Sequence, residues 1–126
     1  MPVACAVPNR APGAPSLSGG LTIRLTPGSR AHEIYGRDAI DEEYFCNYEV
    51  NPAFREAIER SDLRVTGTGE AGEIRIVERP EHRFFLATLF QPQRSSRRDA
   101  PNPVVAAFVS AAQAFHEERA AQGAWP

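Results

Sequence analysis

Apolar and polar residues alternate through Leu21-Thr22-Ile23-Arg24-Leu25, the period-two pattern of a half-buried strand. Pro27-Gly28-Ser29 turns the chain, and residues 30–35 predict a short helical turn ended by Gly36. Asp41-Glu42-Glu43 reads as a solvated turn. Residues 44–50 are rich in aromatic and β-branched side chains and predict a strand. Asn51-Pro52 pairs a helix N-cap with a proline suited to the first helical position. Phe54, Ala57 and Ile58 then share one face of a helix running to about Arg60. Residues 63–68 and 74–77 predict two strands, joined as a hairpin through Glu70-Ala71-Gly72. Residues 84–90 are almost wholly apolar, the pattern of a strand buried on both faces in the middle of an α/β sheet. Asn102-Pro103 repeats the cap-plus-proline signature. Val104, Val105, Phe108, Ala111, Ala112 and Phe115 form a helical stripe expected to pack on the sheet, and Gly123 stops the helix. Trp125 is either exposed or folded back on that helix.

At 126 residues the chain holds one domain at most. Pro, Gly, Ser and Ala crowd residues 8–20. The expected division is a partly irregular segment at 1–20, a domain at 21–122 and a tail at 123–126. The net charge of −2 lacks the basic footprint of a general nucleic-acid binder. No apolar run reaches membrane-spanning length. The start of the chain has no basic lead, and its apolar stretch stops at Pro8, so no secretory signal is expected. Cys5 and Cys46 form neither a metal-type pair nor a disulfide framework, and the expected setting is cytoplasmic with free thiols. His32, His82 and His116 show no metal-ligand spacing and read as surface histidines. No metal or cofactor is expected, since no phosphate-binding Gly-rich loop occurs.

Together these pieces resemble the glutaminase domain of CTP synthase. The likeness runs from Gly19-Gly20-Leu21-Thr22-Ile23-Arg24-Leu25 through Gly28-Ser29-Arg30-Ala31 and Tyr35-Gly36. It is dense at Tyr48-Glu49-Val50-Asn51 and continues at Leu63 and Thr66-Gly67-Thr68. It returns at Phe90, Pro92 and Ser96-Arg97, then at Pro101 and Pro103. Cys46-Asn47-Tyr48 and Phe90-Gln91-Pro92-Gln93 look more like a group of CTP synthase C-terminal-region-related (seleno)proteins. The resemblance implies an α/β fold: the C-terminal half of an open, flavodoxin-like class I glutamine-amidotransferase sheet, with a hairpin and a C-terminal packing helix.

The family uses a Cys nucleophile on a strand-to-helix turn, with a His and a Glu from a His-Pro-Glu motif. The thiolate attacks the amide, the His shuttles the proton and the carboxylate orients the His. The resemblance places the His at Gln91 and the Glu at Gln93. An amide binds and orients but has no usable pKa, so it is no general base. Neither cysteine sits in a Gly-x-Cys-x-Gly elbow, which belongs to the first half of the family domain, outside this chain. The family's Arg before the Tyr is Asn47 here. The synthase domain that binds ATP and UTP is absent from the sequence.

Two readings follow. In one, the chain is a non-glutaminase binding or regulatory module, with Asn47, Tyr48, Gln91 and Gln93 lining a pocket for a small polar metabolite beyond the strand ends. In the other, Cys46 works with Asn47, Gln91 and Gln93 on an amide- or amino-acid-like substrate, or the chain is a truncated piece of a longer amidotransferase. Against the second stands the commoner fate of a cysteine in an aromatic strand, which is simply core. Arg94, Arg97 and Arg98 are candidates for anion binding or belong to a solvated loop. The missing half implies an uncovered sheet edge and a homo-oligomer or partner subunit that completes it.

Overall fold

The computed structural model describes residues 2–7 and 17–123. Most of the predicted loop, residues 8–16, and Trp125 lie outside them. Among the described residues, seven strands and four helices alternate: β1 (Ala4–Ala6), β2 (Ser18–Leu25), α1 (Arg30–Tyr35), β3 (Ala39–Phe45), β4 (Tyr48–Val50), α2 (Arg55–Glu59), β5 (Arg64–Thr68), β6 (Ile74–Glu78), β7 (Leu86–Thr88), α3 (Pro92–Ser95) and α4 (Pro103–Ala121). A single 3-10 turn, Pro52–Phe54, leads into α2 and is capped by the Asn51 side chain.

Five strands form an antiparallel sheet in the order β3-β2-β5-β6-β7, and β1 pairs antiparallel with β4 as a separate ribbon. The mixed α/β class, the β5–β6 hairpin and the C-terminal helix agree with the expectation. The hairpin turn contains Gly72 at φ 82, a left-handed conformation that L side chains adopt only with strain. The β2–β3 and β5–β6 hairpins meet along a short seam, Arg24↔Thr68 and Leu25↔Gly67, extended by Thr26 N–H donating to the Thr66 carbonyl at 2.9 Å.

Alternation along the strands turns Ile23 and Leu25 of β2, Ile40 of β3 and Ile76 of β6 to one face. There they pack with Ala31 of α1 and with Phe90. Helices α1 and α3 and the first turn of α4 cover this face. A register shift in β5 between Val65 and Gly67 marks a bulge. It leaves both Thr66 and Gly67 buried, where strict alternation would turn one of them outward. Gly67 lies directly under Ile76: a Cβ there would fall 2.6 Å from Ile76 Cγ1.

Four local expectations are corrected. The strand predicted at 44–50 is two strands in two sheets, because the chain turns at Cys46-Asn47. Asp41-Glu42-Glu43 is no turn. It lies within β3, and Glu42 is buried. The run 84–90 is not a central strand: only Leu86–Thr88 pairs, it forms the sheet edge beside β6, and Phe85 and Ala87 face solvent. An apolar run shows that burial is available, and here Phe90 takes it after the strand has ended. The stripe of α4 does not lie on the sheet. Val104 is buried, but Phe108 is 57% exposed and Phe115 43%, because α4 leans on α1 and α3 only near its start. Phe108 instead meets Phe84 edge-to-face at 5.7 Å, and Phe115 carries the Arg83 guanidinium at 5.4 Å.

Candidate functional site

Glu42 is the polar centre of the core, 5% exposed on β3 between Ile40 and Tyr44. Its Oε1 accepts from Asn102 Nδ2 at 2.9 Å and from the Tyr35 hydroxyl at 3.2 Å. Its Oε2 accepts from Ser95 Oγ at 3.0 Å. Asn102 Nδ2 also reaches Ser95 Oγ at 2.9 Å, and Asn102 Oδ1 caps α4 by accepting from Val104 N at 2.8 Å. One carboxylate therefore ties β3, α1, α3 and the start of α4 together.

Burial pushes the Glu42 carboxyl above the ordinary carboxylate range; the bonds from Ser95, Asn102 and Tyr35 pull against it, and the neighbouring Glu43 charge adds to the rise. Burial, and then the Glu42 charge, raises the Tyr35 phenol beyond its usual value. Sequence reasoning missed this group. The available signal was Ile40, Glu42 and Tyr44 at alternate positions, which places the carboxylate on the apolar face of a strand.

The Glu42 cluster fixes the turn from β7 into α3, which carries two candidate residues. Gln91 N donates to the Glu43 carbonyl at 2.9 Å, and Gln91 Oε1 accepts from Phe45 N at 2.6 Å. The Gln91 side chain is thereby held at the end of β3, beside the residue that precedes Cys46. Gln93 is exposed on α3. At the corner itself, Asn47 Oδ1 accepts from Leu17 N at 2.7 Å, while its carbonyl accepts from Val7 N at 2.8 Å. Cys46 Sγ lies 3.4 Å from Tyr48 N, and both Cys46 and Cys5 are free, partly buried thiols. Tyr48 is 55% exposed.

The fold thus brings Gln91 to Phe45, which precedes Cys46 and Asn47 in the chain, with Gln93 on α3. Chemically, the corner offers one thiol and several amide groups. Both named amide oxygens are already taken by backbone N–H groups, so the amides act first as braces.

The three arginines point to different tasks. Arg94 lies over the Phe45 ring at 6.0 Å, and Arg97 Nη1 donates to the carbonyls of Arg94 and Ser96. Arg98 is exposed. His32 Nε2 meets Asp38 at 2.8 Å. No group of three or more His, Cys, Asp or Glu able to hold a metal occurs among the described residues. No described helix is long and apolar enough to cross a membrane.

No family model matches the chain. A CTP synthase from Phenylobacterium zucineum (strain HLK1) is 42% identical over 90 residues, which cover 71% of this chain and 16% of that protein. The CTP synthase of Archaeoglobus fulgidus is 37% identical over 101 residues, 79% of this chain and 19% of that protein. The chain therefore spans less than a fifth of the length of these curated relatives. Among solved structures, the Trypanosoma brucei CTPS glutaminase domain with bound acivicin superposes with a TM-score of 0.78 at 25% identity. The match covers 88% of this chain and 46% of that one.

Proposed function

Because the chain is related in sequence and fold to the glutaminase domain of CTP synthase, we propose that it is a glutaminase-like module that binds or regulates and does not hydrolyse glutamine. The observation that carries this reading is Gln91. It stands where the relatives' proton carrier is expected, it has no group that titrates near neutral pH, and its oxygen is spent on Phe45 N. General acid–base help is worth about 10²–10⁴-fold, so its loss alone leaves little turnover. Gln93 removes the orienting carboxylate as well.

The chain is expected to release no ammonia from glutamine above the buffer background in a coupled assay. Turnover that Cys46→Ser abolishes would overturn the proposal. It would favour the second reading instead, an altered chemistry on an amide- or amino-acid-like substrate. That reading is supported by the placement of Gln91 at Phe45, the residue that precedes Cys46 and Asn47. A thiol serving it must also alkylate fast near neutral pH.

The module reading includes a partner. Phe108, Val109 and Phe115 expose large apolar surface along α4, more than a solvated helix face needs. A second copy of the chain or a partner subunit on this face is the proposed cover. Light scattering coupled to size exclusion is expected to give a mass above that of the 13.8 kDa monomer, or to do so once the partner is added. A monodisperse monomer that no partner shifts would count against it.

A further inference from the structure

The two edges of the five-stranded sheet are guarded differently. Along the β3 edge the alternate residues Asp41 and Glu43 carry charge. Gln91 already occupies part of that edge, its N–H on the Glu43 carbonyl and its side-chain oxygen on Phe45 N. At the opposite edge, β7 has no strand beyond it among the described residues. The run around it, Phe84-Phe85-Leu86-Ala87-Thr88-Leu89-Phe90, contains no charge, no proline and no glycine. Charges and prolines are the usual means of blunting an edge, since an open strand invites another chain to pair with it.

The register shows which backbone groups are open. Arg79 N–H donates to the Phe85 carbonyl at 3.2 Å, and Leu89 N–H donates to the Arg75 carbonyl at 2.9 Å. Residues 85, 87 and 89 therefore hydrogen-bond toward β6. Leu86 and Thr88 alternate with them and turn their N–H and C=O groups to the open edge. Phe85 is 39% exposed, and Ala87 is exposed as well.

This run is complementary to itself. Laid antiparallel to a second copy about a two-fold axis at Ala87, Leu86 falls opposite Thr88 of the other chain. Each outward N–H then meets an outward carbonyl. Phe85 falls opposite Leu89, and Ala87, the smallest side chain of the run, meets its own copy. Leu89 also lines an apolar groove of about 220 Å³, together with Val3, Tyr48, Val50, Val77 and Ala87. The Phe85 ring of the second copy comes to the mouth of that groove. Charge favours the same choice: two β7 edges meet without like charges, whereas two β3 edges would bring Asp41 and Glu43 of both copies together.

We propose that β7 pairs antiparallel with β7 of a second copy about a two-fold axis at Ala87, joining two sheets into one. Backbone bonds supply the affinity and the groove seats a side chain, as in other strand additions. This deepens the partner part of the module reading, and rests on it, by naming the partner as a second copy and β7 as its seat.

The test is sedimentation equilibrium of the parent chain, Ala87→Lys and Ala87→Glu. Ala87 is exposed, so both variants keep the parental circular dichroism spectrum. The parent is expected to dimerise. Each variant alone is expected to do so about tenfold more weakly, because like charges meet across the axis. An equimolar mixture of the two is expected to regain the lost affinity, since opposite charges then face each other. Association that both variants leave unchanged and Phe108→Glu abolishes would overturn the proposal and leave the partner on α4. A parent that stays monomeric would overturn it too, as would a mixture that associates no better than its components. Ammonia release from glutamine would instead overturn the module reading, and it is measured independently of mass.

Discussion

Glu42→Ala is expected to lower the unfolding free energy by about 3 kcal/mol, read as a shift in the urea midpoint at constant slope. The side chain accepts from Asn102, Tyr35 and Ser95 within a site that is 5% exposed. Removing it leaves the Tyr35 hydroxyl without its acceptor and takes one partner each from Asn102 and Ser95, which keep Ser95 Oγ and the Pro92 carbonyl; an unsatisfied buried group costs about 1–3 kcal/mol less whatever an entering water recovers. The damage spreads beyond the pocket, because Asn102 is also the cap of α4. Glu42→Gln keeps one acceptor oxygen and is expected to cost less than half as much.

The two variants also separate in pH. The folded-state Glu42 carboxyl is held above its ordinary value, chiefly by burial. The native chain therefore binds that proton more tightly than the unfolded chain does. The stability this contributes is complete below the unfolded-state value of about 4.3 and is lost as pH rises through the folded-state value. Glu42→Gln has no such proton. Its stability profile should lack that downward step, and a variant profile parallel to the parent's across this range would contradict the assignment.

Ile76→Ala is expected to cost about 3–4 kcal/mol, within the range for deleting a large aliphatic side chain from a packed core. Ile76 is fully buried at the centre of the main cluster, on β6, which pairs with both β5 and β7. Its seat depends on Gly67, whose missing Cβ leaves room for Ile76 Cγ1 and Cδ1. Gly67→Ala alone overpacks the site, at about 1–3 kcal/mol. In the double variant the new methyl enters the space that Ile76 vacates. Chemical denaturation should then give a loss smaller than the sum of the single losses, the non-additivity expected of residues in contact. A strictly additive result would show that the two do not share that space.

Local signals were legible where the backbone itself dictates them. Asn51-Pro52 and Asn102-Pro103 both open helices, with each Asn side chain accepting from the N–H two residues on. Gly36 ends α1 at φ 65, and Gly72 turns the hairpin. Non-local outcomes were not legible in the same way. The hydrophobicity of residues 84–90 is the same whether they pair on one side or two, and only the rest of the sheet decides that β7 is an edge. The stripe on α4 is equally apolar whether it faces a sheet or an uncovered surface. At the corner, the sequence showed which chemical groups are present at Cys46, Asn47 and Gln91. It did not show that the two amide oxygens are committed to Leu17 N and Phe45 N. Glu42 was misread because charge outweighed alternation, although its buried donors make a carboxylate tolerable there.

The seam between β2 and β5 has a kinetic meaning. The β2–β3 and β5–β6 pairs close through neighbouring stretches of chain, so each forms early and at small entropic expense. Arg24↔Thr68 and Leu25↔Gly67 instead join segments far apart in sequence, with α1, β3, β4 and α2 between them. Long-range pairing of this kind is the slow part of building a sheet. The two hairpins become one cooperative unit only when that short junction closes, so the barrier to folding is set more by the seam than by the local strength of either hairpin.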